Sequence, residues 1–174
     1  MCYPSLDNSL WVRSEFVGVD LGDKRRSKRL EEMAAAMAEN PKGCIHGSLP
    51  TWAESKAAYR LLDRPEVTHA AVLAQHTACT LARCRECAEV LLIEDTCTLN
   101  YNSHPATKGL GRIGDDSSQG LFLHNTLAFA VKDWTANEEP LVMALGLFEQ
   151  MCWARTMPTI GAGKEKRRDR YNRL

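Results

Sequence analysis

Glu94 and Asp95 stand side by side in EVLLIEDTCTLNY (89–101), between an apolar run, Val90–Ile93, and a second β-like stretch, Thr96–Leu99. A carboxylate inside such a strand is costly unless it is paired, exposed at an edge or bound to a cation. The chemistry it suggests is ligation of a hard divalent ion such as Mg2+, which takes oxygen ligands. Neighbouring strand residues point to opposite faces, so only one of the two can face a given groove. Magnesium usually needs at least two converging carboxylates, and on spacing alone a strand Asp is more often a paired or edge residue.

A second set of residues suits phosphate. Lys24, Arg25, Arg26, Lys28 and Arg29 crowd a predicted helix start, where the macrodipole favours acidic residues. Free N–H groups and clustered cations at such a place bind phosphate well, whereas most charge runs are simply solvated faces. Lys56 and Arg60, one turn apart, are expected to extend the same surface. Lys164–Arg173 holds six basic and two acidic residues in a stretch without apolar periodicity, read as a basic linker or tail. The whole chain has formal net charge zero, so any nucleic-acid argument must rest on these local clusters.

The seven cysteines are scattered, and Cys84 and Cys87 form CREC. No second pair with zinc-site spacing follows, which favours free thiols at the end of a helix over a four-ligand metal site.

The elements that must position these groups divide at about residue 88. Asp23 caps a predicted helix over 24–39, with Leu30, Met33, Ala34, Met37 and Ala38 as one apolar stripe. Thr51 and Glu54 form a capping-box pattern for a second helix, with Trp52, Tyr59 and Leu62 expected inward. Thr68 caps a third, to about Ala88, with Val72, Leu73, Leu81 and Cys84 as core. Three β-like segments follow, 90–101, 121–132 and 140–153, whose short polar connections favour an antiparallel meander. The fold class is therefore α+β, a helical bundle followed by strands. With 174 residues, no apolar run long enough to span a bilayer and no secretory signal pattern, the expectation is a cytoplasmic protein without membrane contact.

LGDKRRSKRL (21–30), SLPTWAESKAAYRLLDRPEV (48–67), LLIEDTCTLNY (91–101), GLGRIG with QGLFLHNTLAF (109–129) and Trp153-Ala-Arg155 occur in an order that resembles the bacterial cut-and-paste transposases of the Tn-five type, in the IS-four group of DDE transposases. The resemblance runs from about Trp11 to Arg155. It implies a helical domain over 1–88 that binds transposon-end DNA, the first three strands of an incomplete RNase H-like sheet over 89–156, and a basic linker or disordered tail over 157–174. Arg25, Arg26 and Arg29 match the family's basic helix. Asp95 matches the first of three catalytic carboxylates, which hold two Mg2+ (or Mn2+) ions for in-line phosphoryl transfer.

Neither Glu94 nor Asp115 and Asp116 match the family's motifs for the other two carboxylates. The resemblance thus implies a truncated transposase that is not expected to hold metal tightly or to cut DNA alone. It would recognise an inverted repeat in double-stranded DNA, in the bacterial cytosol or on the nucleoid. Homodimerisation or pairing with a full-length transposase is also implied. The alternatives are the front half of a split magnesium-dependent enzyme, or a regulator that competes with the full-length protein. Without the neighbouring strand of a complete sheet, the first strand is expected to form an exposed apolar edge that invites self-association.

Overall fold

The computed structural model describes residues 8–114, 118–133 and 141–155. Five helices are followed by strands: α1 Asn8–Phe16, α2 Lys24–Glu39, α3 Ile45–Ser48, α4 Trp52–Leu62 and α5 His69–Arg85, then β1 Val90–Asn100, β2 Gly111–Arg112, β3 Gln119–Asp133 and β4 Leu141–Trp153. The architecture is α+β, with two helices and one short strand beyond those expected. The 157–174 tail, Asp115, Asp116 and the 134–139 connection lie outside the described residues.

Three helices start where the sequence places their caps. The Asp23 side chain accepts from Arg25 N–H, that of Thr51 from Glu54 N–H and that of Thr68 from Ala71 N–H. Thr51 and Glu54 close their box through the threonine hydroxyl, which donates to Glu54 Oε2 at 2.8 Å. The one-turn helix α3 uses Cys44 as its cap, the sulfur accepting from Gly47 N–H at 3.4 Å.

Packing divides the chain into two compact units. One holds the described residues up to Leu92 together with those of Leu127–Phe148, and the other holds those of Ile93–Thr126 and from Glu149 onward. In the first unit Val19, Leu21, Leu30, Met33, Ala58 and Leu61 form a core, with Phe16, Met37 and Val72 packed on it. A second cluster joins Ala128, Ala130 and Leu145 to Cys84, Cys87 and Val90. Cys84 and Cys87 thus act as small half-buried hydrophobes, and the Cys87 thiol donates to Arg83 O at 3.3 Å.

On α4 the buried face is Ser55, Ala58 and Leu61, while Trp52 and Tyr59 are 69% and 51% exposed and Leu62 is also exposed. The expected inward stripe is therefore rotated. Small side chains at 55 and 58 let α4 lie close to its neighbours, a position that an indole or phenol ring would not fit. The Ser55 hydroxyl stays satisfied, donating to Thr51 O and lying 3.1 Å from His46 Nδ1. On α5 the fully buried side chain is Thr80, whereas Val72, Leu73, Leu81 and Cys84 are partly covered.

In the sheet β3 is central: it pairs with β1, with β4 and, antiparallel, with β2, where Gly111 faces Gly120 and Arg112 faces Gln119. Tyr101 N–H donates to Gln119 O, and Thr96 Oγ1 sits 2.7 Å from His124 Nδ1. Both fit one antiparallel register of β1 on β3, which sets Asp95 across from Asn125. Residues 92–98 of β1 are exposed, and Leu92 and Ile93 are about half so, as expected for an apolar edge and unlike a buried strand.

Candidate nucleic-acid interface

The N-terminal turn of α2 and one face of α4 enclose a shallow groove lined by Arg25, Arg26, Arg29, Arg60 and Arg64, with Asp23 at its rim. Each arginine reaches it for a local reason. The Asp23 cap starts α2 so that positions 25, 26 and 29 share a side, and Arg60 lies one turn before Arg64, just past the end of α4.

The five side chains are not equivalent. Arg25 is 91% exposed, and among the described residues its side chain bonds back to Asp23 alone, at 3.1 Å from Nη2 to Oδ2. The side-chain bond from Arg25, then the Arg25 backbone N–H, holds the Asp23 carboxyl below its ordinary value of 3.8, and Asp23 in turn raises the Arg25 pKa. Arg26 is largely covered, donating to Leu21 O and pairing with Glu66 Oε1, each at 3.1 Å. Glu66 is pulled below the ordinary glutamate value, first by its own backbone N–H and then by Arg26. Arg29 and Lys28 share Glu32, at 3.1 and 4.0 Å. Arg60 and Arg64 form no salt bridge among the described residues, so their forked donors are available to a ligand.

Of the residues singled out from sequence, the groove gathers Arg25, Arg26, Arg29 and Arg60. Lys28 and Lys56 are exposed on the same two helices and do not line it. Arg64 was missed. Its signal was available: it follows Arg60 by one helical turn. Five guanidinium groups on two elements around an open groove are suited to the phosphates of a polyanion, which a single helix run would meet along one line only.

Residues 8–67 match the family model for transposase DNA-binding. The matched span runs from α1 through α4 and contains the whole arginine groove. It supports a transposase origin for the helical part and DNA as its partner. No helix among the described residues is long and apolar enough to cross a membrane.

Asp95 lies in the exposed stretch of β1. Across from it, Asn125 Oδ1 accepts from Gln150 Nε2 at 2.6 Å. Glu94 points to the opposite face, where its Oε2 is 4.0 Å from His124 Nε2. The two adjacent carboxylates therefore cannot share an ion. Among the described residues no group of three or more His, Cys, Asp or Glu side chains could hold a metal. These residues do not by themselves fit a two-metal centre, whose ions need several acidic ligands from separate elements.

Proposed function

We propose that this protein is a transposase-derived DNA-binding protein that recognises the double-stranded inverted repeat at a transposon end. The arginine groove between α2 and α4 carries the reading, because it concentrates cations that the chain as a whole does not have in excess. Arg25, Arg29, Arg60 and Arg64 take phosphates, while Arg26 holds the 21–26 turn in place and offers its remaining N–H groups. Lys28 and Lys56 extend the positive surface along the two helices. Phosphate contacts of this kind fix position on the duplex, and sequence choice comes from base-edge contacts by neighbouring side chains.

The chain alone is not expected to cleave DNA. Asp95 is the one residue that resembles a catalytic ligand of the DDE transposases, and the described residues do not supply its partners. The test is a shift assay with matched transposon-end duplex against scrambled duplex at fixed salt. The expected result is preferential binding that Arg25→Ala with Arg29→Ala removes. Absence of binding, or binding untouched by that pair, overturns the proposal.

A second reading is favoured by one observation: among the described residues β1 ends the sheet order, with no described strand on the edge beside Asp95. A separate polypeptide pairing there would bring further carboxylates beside Asp95 and complete a magnesium-dependent transposase. Its test is metal-dependent nicking on mixing the two chains, abolished by Asp95→Ala. A full-length transposase occupying that edge unproductively would make the chain a regulator, seen instead as reduced transposition on co-expression.

A further inference from the structure

The unit formed by Ile93–Thr126 and the residues from Glu149 has a basic cleft of its own. Its lining among the described residues is Gly109–Arg112, Gln119, Ala154 and Arg155, which brings two arginines and no described carboxylate. Arg155 lies there over an aromatic ring. Its guanidinium carbon lies 4.7 Å over the Phe122 ring centroid, and Phe122 stacks on Trp153 with centroids 5.6 Å apart and planes 18° from parallel. A cation over a ring face spends no hydrogen-bond donor on it, so the guanidinium N–H groups remain for a ligand. The Arg155 side chain makes no hydrogen bond or ion pair among the described residues.

Two glycines shape the cleft lining. A Cβ at Gly111 would run into the Arg155 backbone, so glycine there lets β2 seat against the segment that carries Arg155. Gly109 adopts φ +78 with nothing within 4 Å of the place a Cβ would occupy. That backbone conformation is one a glycine adopts without strain.

We propose that this cleft is a second phosphate-binding site, in which Arg155, with Arg112 beside it, takes a phosphodiester of nucleic acid. It rests on the reading of the chain as a DNA-binding protein and adds a contact outside the arginine groove of α2 and α4. The phosphodiester belongs either to duplex flanking the bound site or to an unpaired strand.

The experiment measures binding of a short duplex and of a single strand of the same sequence over a salt series, with the full chain and its Arg155→Gln and Arg155→Lys variants. Arg155→Gln is expected to make the slope of log K on log salt shallower by about 0.9 for the duplex or about 0.7 for the single strand. Whichever strand form shows the change is the source. Arg155→Lys should keep the slope, because it keeps the charge, and lose affinity, because an ammonium does not stack on Phe122 as a guanidinium does. In parallel, the amide resonances of Gly109 and Gly111 should shift on adding the oligonucleotide to the wild type. A wild-type slope in Arg155→Gln for both nucleic acids overturns the proposal. So do unmoved Gly109 and Gly111 amides while those of α2 respond, a result that leaves the arginine groove standing. Absence of any binding by the wild type overturns both.

Discussion

Arg83 and Glu15, 68 residues apart, form a two-pronged ion pair, Nη1 to Oε1 at 2.5 Å and Nη2 to Oε2 at 3.1 Å. Glu15 is 1% exposed, and its second oxygen also takes His76 Nδ1 at 2.7 Å. The same α5 side chains reach the β4 backbone: Arg83 Nε donates to Leu145 O at 2.7 Å, and Leu147 N–H donates to His76 Nε2 at 3.1 Å. Because Nε2 accepts, the imidazole hydrogen sits on Nδ1 and points at Glu15. One buried carboxylate thus orients two side chains that each hold a strand carbonyl or amide.

Removing the cation from this pair should be severe. Arg83→Met leaves Glu15 buried with only His76 for a partner, and loss of one member of a buried pair typically costs about 3–5 kcal/mol. The remaining imidazole bond places the expected loss toward the lower end. The double variant Glu15→Leu with Arg83→Met should lose less than Arg83→Met alone, because no uncompensated charge is left inside. Urea unfolding of the three chains measures both differences.

Gly146 lies between the two clamped residues. Its φ of +141 is rarely adopted by L side chains, and a Cβ there would press on Thr80 Oγ1, with Arg83 Nη2 3.1 Å away. Gly146→Ala should therefore destabilise by roughly 1–3 kcal/mol, the range for a side chain forced into a sparsely populated backbone region. Hydrogen exchange should show the loss first at the Leu147 amide, the group that loses its imidazole acceptor if β4 moves.

What was legible in the sequence was local. The Asp23 cap and the Leu30–Met33–Met37 stripe place α2 over Lys24–Glu39 as found, since both signals lie within the helix itself. Helix α1 left no such trace: its buried residues among the described side chains are Val12 and Glu15, so the stripe that periodicity looks for contains a carboxylate. Nothing near Glu15 in sequence hints at its partners, which arrive from α5. The rotated face of α4 failed for a related reason. Aromatic size suggested burial at Trp52 and Tyr59, but close helix approach selected Ser55 and Ala58. Of the candidate interface, the α2 cluster was legible as a charge run, while its convergence with Arg60 and Arg64 depends on how α2 and α4 pack.

Asp23 ties stability to acid. Its folded-state pKa lies below the ordinary value of 3.8, so its contribution is fully present above about that pH and is lost as pH falls through the lower folded value. Asp23→Asn keeps a good helix cap but cannot titrate. The stability difference between wild type and Asp23→Asn should therefore be constant at neutral pH and shrink below about pH 4. A difference that stays constant down to pH 2 would show that the carboxylate charge contributes nothing through Arg25. Thermal melts across pH 2–7 supply the comparison.

The arginines of the groove should separate into two classes. Arg60 and Arg64 have no salt bridge to lose among the described residues, so Arg60→Ala and Arg64→Ala should leave the melting temperature nearly unchanged. Each should make the salt dependence of DNA binding shallower by about 0.9 in log–log slope, the release of one phosphate contact. Arg26→Ala should behave differently, because Arg26 bonds Leu21 O and Glu66 and so ties the turn before α2 to the segment after α4. It is expected to lower the melting temperature as well as affinity. Its affinity loss should be partly recovered at low temperature, where the turn refolds without it. If all three variants change the slope equally and none changes the melt, Arg26 is a plain phosphate ligand and its bond to Leu21 has no structural weight. Salt-series binding and melts on the same preparations decide between the two patterns.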